Sequence, residues 1–147
     1  MADYVVADTN VITYLTKASK QCGAYQAMLG DRRLAISFQT QAELLGVQFS
    51  PPRLQRLRDY LAVLLILRQT EATNVWYSRV AARRAELRRA RADGAGASDG
   101  DMWVISSALE HGLPLLSHDK QEVHLGRSIR LKVLTNLQSL RNDNPKL

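Results

Sequence analysis

The apolar run from Tyr4 to Ala7 ends on an acid, Asp8, and gives way at once to helical spacing in "TNVITYLTK", where Val11, Ile12 and Leu15 share one side. The run is short, β-branched and flanked by polar residues, which is the pattern of a buried parallel strand. A strand that passes directly into a helix, repeated along a chain, leaves few architectures open. The helices must cross back over a sheet between parallel strands, with right-handed connections, and so cover both of its faces. Thr9 or Asn10 is placed to cap the first helix.

The plan repeats with "RLAISF" as strand and "TQAELLGVQF" as helix, which puts Glu43 one turn into that helix. Pro51 and Pro52 open a helix at "RLQRLRDYLA", proline being tolerated in a first turn. A short strand is expected within Leu64 to Gln69, and an arginine-rich helix from about Ala72 to Ala92. The segment "ADGAGASDGD" reads as a flexible connection, too short to link domains. The next helix is expected to begin near Asp101, to bury Trp103, Val104, Ile105, Ala108 and Leu109, and to stop at Gly112. "LPLLS" reads as a strand with Asp119 just past its end, and "IRLKVLT" as a last strand near an edge. The polar tail "QSLRNDNPKL" is expected to fray. The predicted class is α/β, an open parallel sheet with helices on both faces, in one domain spanning 1–147 with a folded core over about 3–136 and a tail over 137–147.

At 147 residues and 46% apolar content the chain can bury one substantial core. Its longest apolar run, Tyr60 to Leu67, is too short for a bilayer, and "MADYVV" lacks the parts of a signal peptide, so no membrane partner and a cytoplasmic setting are expected. A single cysteine, Cys22, excludes an internal disulfide framework and a cysteine-rich zinc site. The net charge of +6 favours polyanionic partners. Much of it is local: Arg79, Arg83, Arg84, Arg88, Arg89 and Arg91 lie along one predicted helix, as either a nucleic-acid contact or a solvated face. Trp76 and Tyr77, just ahead of them, suit either base stacking or the core.

Sheets of this kind place sites beyond their carboxyl edge. That rule gathers Asp8 and Asp119, each at the end of a strand, with Glu43 and Asp101, each near a helix start. Converging carboxylates repel, so they require protons or a divalent cation, and an oxygen-only donor set suits Mg2+ or Mn2+ better than zinc. Such an ion polarises a phosphodiester and activates water. Asp8 and Asp101 are the expected direct ligands, Asp119 a ligand or water-positioning group, and Glu43 a ligand or general base. Every one of these acids also has a plain structural use: Asp8 as a helix cap, Glu43 with Thr40 and Asp101 with Ser98 as capping boxes, and Asp119 in a turn. Asp99 is a rival to Asp101 two residues away, and Thr9, Asn10 and Ser117 are supporting polar neighbours. His111, His118 and His124 share no helical spacing and are not expected to be catalytic, although His118 abuts Asp119.

These motifs resemble those of the PIN-domain nucleases, and in particular the VapC toxins of bacterial toxin-antitoxin pairs. "VVADTNVITYL" is similar to the family's opening strand and aspartate-threonine-asparagine signature, "TQAELLGV" to its glutamate segment, and "DGDMWVISSALEHGLPLLSHDK" to its later acidic motifs. The family usually has threonine, arginine and aspartate where Ser117, His118 and Asp119 stand. The resemblance implies that Asp8, Glu43, Asp101 and Asp119 bind Mg2+ or Mn2+ and support RNA cleavage. It further implies a homodimer, and an antitoxin partner that covers the active-site groove. Three other readings compete: a PIN nuclease of RNA processing that is not a toxin, a phosphoryl-transfer enzyme with Asp8 as nucleophile, and a nonenzymatic binding module. The second lacks the acid that it needs two residues after Asp8, where Asn10 stands.

Overall fold

Strand β1 (Tyr4–Ala7) pairs with β2 (Arg33–Ser37) on one side and with β4 (Leu115–Leu116) on the other. With β3 (Leu65–Leu67) and β5 (Val133–Leu134) they form a parallel sheet in the order β3-β2-β1-β4-β5. The computed structural model describes residues 3–141, and the five strands are those found among them. The connecting helices are α1 (Thr9–Leu15), α2 (Lys20–Leu29), α3 (Phe38–Gly46), α4 (Pro51–Ala62), α5 (Glu71–Arg89), α6 (Asp99–His111) and α7 (Lys120–Ser128). The chain builds outward from β1 to β3, then returns to add β4 and β5 on the other flank. The loops after β1 and β4 therefore leave in opposite directions, which opens a crevice at the carboxyl edge between them.

The two faces of the sheet are covered by different stretches of chain. Val5 and Ala7 pack with Val11, Ile12, Tyr25, Leu44 and Leu57 of α1 to α4, while Val6 packs with Val80, Ile105, Val123 and Leu125 of α5 to α7. This is the two-residue alternation of a strand buried on both sides. Each large aliphatic side chain so buried stabilises the fold by roughly 1.5–3 kcal/mol.

Several local expectations are corrected. Asp8 itself caps α1, accepting from Val11 N at 2.7 Å, in place of Thr9 or Asn10. Ser37 caps α3 by accepting from Thr40 N at 3.1 Å, so the helix starts before Thr40 and no capping box joins Thr40 to Glu43. The box between Ser98 and Asp101 does form, and α6 therefore begins at Asp99. On α6 the buried residues are Met102, Val104, Ile105, Ser106, Ser107 and Ala108, whereas Trp103 and Leu109 are only partly buried. The Ser106 hydroxyl donates to Met102 O at 2.6 Å, which lets it face the core. Gly112 ends the helix in the left-handed conformation, as expected.

Two helices, α2 and α7, were not expected at all. The segment expected to be flexible is instead held from both sides. Gln121 Oε1 accepts from Gly94 N at 3.0 Å and from Gly96 N at 3.2 Å, while Arg84 donates to Ala97 O at 2.9 Å and Arg88 to Ala95 O at 3.1 Å. Gly94 has φ +97°, and a Cβ there would lie 2.9 Å from Leu125 N, so only glycine fits. Part of the predicted tail is also ordered: a 3-10 turn, Gln138–Leu140, buries Leu140 and offers its carbonyl to Arg127. The remainder of that tail, 142–147, lies outside the described residues. Among the described residues, no helix is long and apolar enough to cross a membrane.

Candidate active site

A cleft of about 180 Å3 opens at the carboxyl edge of the sheet. Asp8, Glu43, Asp101 and Asp119 all line it, together with Thr9, Asn10 and an acid that the sequence reading missed, Glu122.

Asp8 leaves the end of β1 almost fully buried, at 4% exposure. Its Oδ1 accepts from Val11 N, and its Oδ2 accepts from Ser117 Oγ at 3.0 Å and His118 N at 3.1 Å. Burial raises its pKa from 3.8 to about 6, against the opposing pull of those three hydrogen bonds. Desolvation thus outweighs good hydrogen bonding. Ser117, fully buried, also accepts from Asp119 N at 3.2 Å, so one hydroxyl ties the two strand-end acids together.

Asp101 Oδ2 accepts from Ser98 N at 2.9 Å, and Ser98 Oγ accepts from Asp101 N at 3.1 Å. Its carboxyl is also raised, first by burial and further by the charge of Asp119. Asp119 Oδ1 caps α7 through Glu122 N at 3.0 Å. Glu122 sits one turn into α7, 1% exposed, with Oε1 unpartnered among the described residues. Burial pushes its carboxyl well above the usual range, and the nearby charges of Asp8 and Asp101 push it further. A buried acid between two others, with an idle oxygen, is costly unless something positive joins it. The spacing Asp119 to Glu122 matches a helix-start pattern, and that was the signal for α7 that could have been read.

Glu43 belongs to the exposed wall. Its Oε2 accepts from Thr9 Oγ1 and its Oε1 from Gln39 Nε2 at 3.0 Å. Across from it stands Gly100, in the first turn of α6, where an added Cβ would lie 2.8 Å from Glu43 Oε1. Gly100→Ala is therefore expected to swing Glu43 out of place. Activity should fall on the order of tenfold, as when a positioning contact is lost, while thermal stability holds or rises slightly because alanine suits a helix better. Unchanged turnover in that variant, measured beside its melting temperature, would remove Glu43 from the working site.

Asp99, the rival to Asp101, faces away: it pairs with Arg84 at 3.2 Å and its side chain is 75% exposed. His118 turns its ring toward Tyr25, whose hydroxyl lies 2.6 Å from Nδ1, and burial lowers its pKa. Of the aromatic residues ahead of the arginine run, Tyr77 stacks on Trp103 at 3.9 Å and Trp76 lies under Arg79. Arg84 and Arg88 are spent on the loop before α6, so the arginine helix serves in part to set the position of Ser98 and Asp101. Among the described residues no three acidic, histidine or cysteine side chains form a ready-made metal cage. The donor chemistry still fits a hard cation, because the cleft is lined by five carboxyls and by no histidine or cysteine, with one carboxyl oxygen buried and idle.

An open parallel sheet, covered on both faces and carrying five acids at its switch point, defines an α/β protein with an acidic cleft. The chain belongs to the PIN-domain family, whose model matches residues 5–127. No curated protein matches it in sequence. Among solved structures it is similar to VapBC2 from Rickettsia felis bound to a promoter DNA fragment, with TM-score 0.69, 17% identity, and coverage of 90% of this chain and 98% of that one. It is likewise similar to VapBC-1 from nontypeable Haemophilus influenzae, with TM-score 0.67, 24% identity and coverage of 90% and 97%. For DNA-bound VapBC from Salmonella typhimurium the values are 0.69, 20%, 92% and 98%. At these identities the likeness speaks to the fold.

Proposed function

We propose that this protein is a divalent-metal-dependent endoribonuclease of the VapC kind, a toxin restrained by a cognate antitoxin. The observation that carries the reading is the convergence of Asp8, Glu43, Asp101, Asp119 and Glu122 on one cleft, with Asp8 and Glu122 buried, Asp101 half-buried and one Glu122 oxygen unpartnered among the described residues, an arrangement that calls for a cation. Family membership and the VapBC character of the structural neighbours support the toxin and antitoxin roles. A homodimer and a cytoplasmic setting come with the same reading.

Asp8, Asp101 and Glu122 would hold Mg2+ or Mn2+, with Asp119 beside them. When bound, the ion supplies charge to polarise a phosphodiester and to make water more acidic. The Ser117 hydroxyl and the His118 amide keep the Asp8 carboxylate from turning. Thr9 and Gln39 hold Glu43 on the wall of the cleft, where an exposed carboxylate can take a proton from attacking water. Asp119 keeps Oδ2 for the cleft, since only Oδ1 is used by α7.

The nonenzymatic reading has one observation in its favour, because Asp8 and Asp119 cap helices and Asp101 closes the capping box of Ser98. Caps need no buried glutamate at their centre, and Glu43 caps nothing. The deciding experiment incubates the purified protein with RNA, with Mg2+ or with a chelator, and maps the fragment ends. Cleavage is expected with the metal and none with the chelator, and induced growth arrest should be relieved by co-expressing the neighbouring reading frame. Identical RNA in both incubations would overturn the proposal.

A further inference from the structure

One helical turn along α1 from the acidic cleft lies a second groove, with a volume of about 150 Å3. Thr13 of α1, Thr16 at its C-cap, Leu44 of α3, and Phe49 with Arg53 and Arg56 form much of its lining, together with Lys17. The two hollows share two helices, α1 and α3, in their walls. Thr9 in the first is followed a turn later by Thr13 in the second, whose hydroxyl donates to Thr9 O at 3.0 Å, and Glu43 in the first adjoins Leu44 in the second. From Thr9 to Leu15 the helix advances about 9 Å.

The charge of this groove is opposite to that of the cleft. Lys17, Arg53 and Arg56 form no ion pair among the described residues, in contrast to Arg84 and Arg88 of α5, which are engaged with the loop before α6. Arg53 Cζ lies over the Phe49 ring, 4.2 Å from its centroid. A guanidinium plane supported from below is a surface on which a nucleobase stacks. A cavity of this size takes up one six-membered ring. The Thr13 and Thr16 hydroxyls already donate to backbone carbonyls, so they offer a base only acceptor lone pairs.

We propose that this groove is the subsite for a nucleotide flanking the scissile phosphate in single-stranded RNA. Its pyrimidine base stacks against Arg53 on Phe49, and its phosphate is held by Lys17 and Arg56. The inference rests on the nuclease reading above, but it is tested by binding and not by turnover. An acidic peptide would also answer the charge, but it has no use for the supported guanidinium plane or for a ring-sized cavity.

The test measures fluorescence anisotropy of a labelled short oligocytidylate with the whole protein in chelator, so that no cleavage occurs. Lys17→Ala with Arg56→Ala is compared with Arg33→Ala with Arg58→Ala, which removes equal charge from the exposed start of β2 and from an exposed position of α4 outside the groove. The groove pair is expected to weaken binding on the order of tenfold. It should also reduce the slope of log K against log salt by about 0.7, the value for one phosphate contact on a single strand. Phe49→Leu should weaken the base-bearing strand and leave an abasic strand of the same length unaffected. Equal losses in both double variants would overturn the inference, as would a groove pair that binds RNA normally while losing affinity for polyglutamate. Wild-type protein that binds as expected here but never cuts RNA with Mg2+ would sink the nuclease reading, leaving the groove as a nucleotide-binding site and overturning only its place beside a scissile phosphate.

Discussion

Asp8→Asn is expected to abolish metal-dependent cleavage while leaving a folded protein. Losing a partner that merely orients a ligand costs roughly 10- to 100-fold, so losing a direct ligand should exceed about 100-fold. The stability balance makes the result interpretable. In the wild type an ionised Asp8 is held against a rise from 3.8 to about 6, which corresponds to about 3 kcal/mol at pH 8. Asparagine removes that penalty and can still cap α1 toward Val11 N. It also turns an amide group toward the His118 N–H, a mismatch worth about 1–3 kcal/mol. The two effects nearly cancel, so the melting temperature near pH 8 should move only slightly while activity disappears. Below pH 4, where the wild-type acid is protonated, only the mismatch remains and the variant should be the less stable protein. A variant that keeps full activity refutes the assignment of Asp8, and one that unfolds at pH 8 refutes the electrostatic account.

The second large effect is a metal-dependent and pH-dependent shift in stability. Asp8, Asp101 and Glu122 all have raised pKa values in the folded chain. Such groups bind protons more tightly folded than unfolded, so their contribution is complete below the unfolded value and is lost as pH rises through the folded one. For Asp8 that window runs from about 4 to just above 6, and Glu122 extends it upward. The metal-free protein should therefore lose stability from pH 5 to pH 8. At pH 8, Mg2+ or Mn2+ at about a hundred times its dissociation constant should restore about 2.7 kcal/mol, or about 5–10 °C in melting temperature for a chain of this length. At pH 5 protons compete for the same oxygens and the shift should shrink. A scan that shows equal shifts at both values, or the same shift in Asp8→Asn, counts against a carboxylate site.

The sheet was legible because β1 and β2 are short buried runs that pass straight into helices. The rule that sites gather at a carboxyl edge then brought Asp8, Glu43, Asp101 and Asp119 to one cleft from positions far apart in the chain. What stayed hidden follows from local signals that are weak for physical reasons. Helix α2 carries Gly23 in its interior and shows only Tyr25 as a buried residue, so its periodicity barely registers. Helix α7 is nine residues long and buries an acid on its core side, which breaks the apolar pattern by which it would be recognised. Glu122 went unread for that reason. The loop before α6 reads as flexible from its glycines, but its restraint comes from Gln121, Arg84 and Arg88 on other helices, which no local pattern records. The capping boxes illustrate both outcomes: Ser98 and Asp101 form one, and Thr40 and Glu43 do not, because Ser37 begins the helix first.

The hydrogen bond from Ser117 to Asp8 joins positions 109 apart, and it gives the chain a timetable. During synthesis Asp8 emerges early with neither Ser117, Asp119 nor Glu122 yet made, and β1 waits for β4 on one of its flanks. The cleft comes into being only when the ribosome has released the segment through α7. On the nuclease reading proposed above, a nascent chain would be harmless to the RNA beside it for most of its own translation, with the order of strands in the sheet serving as a delay.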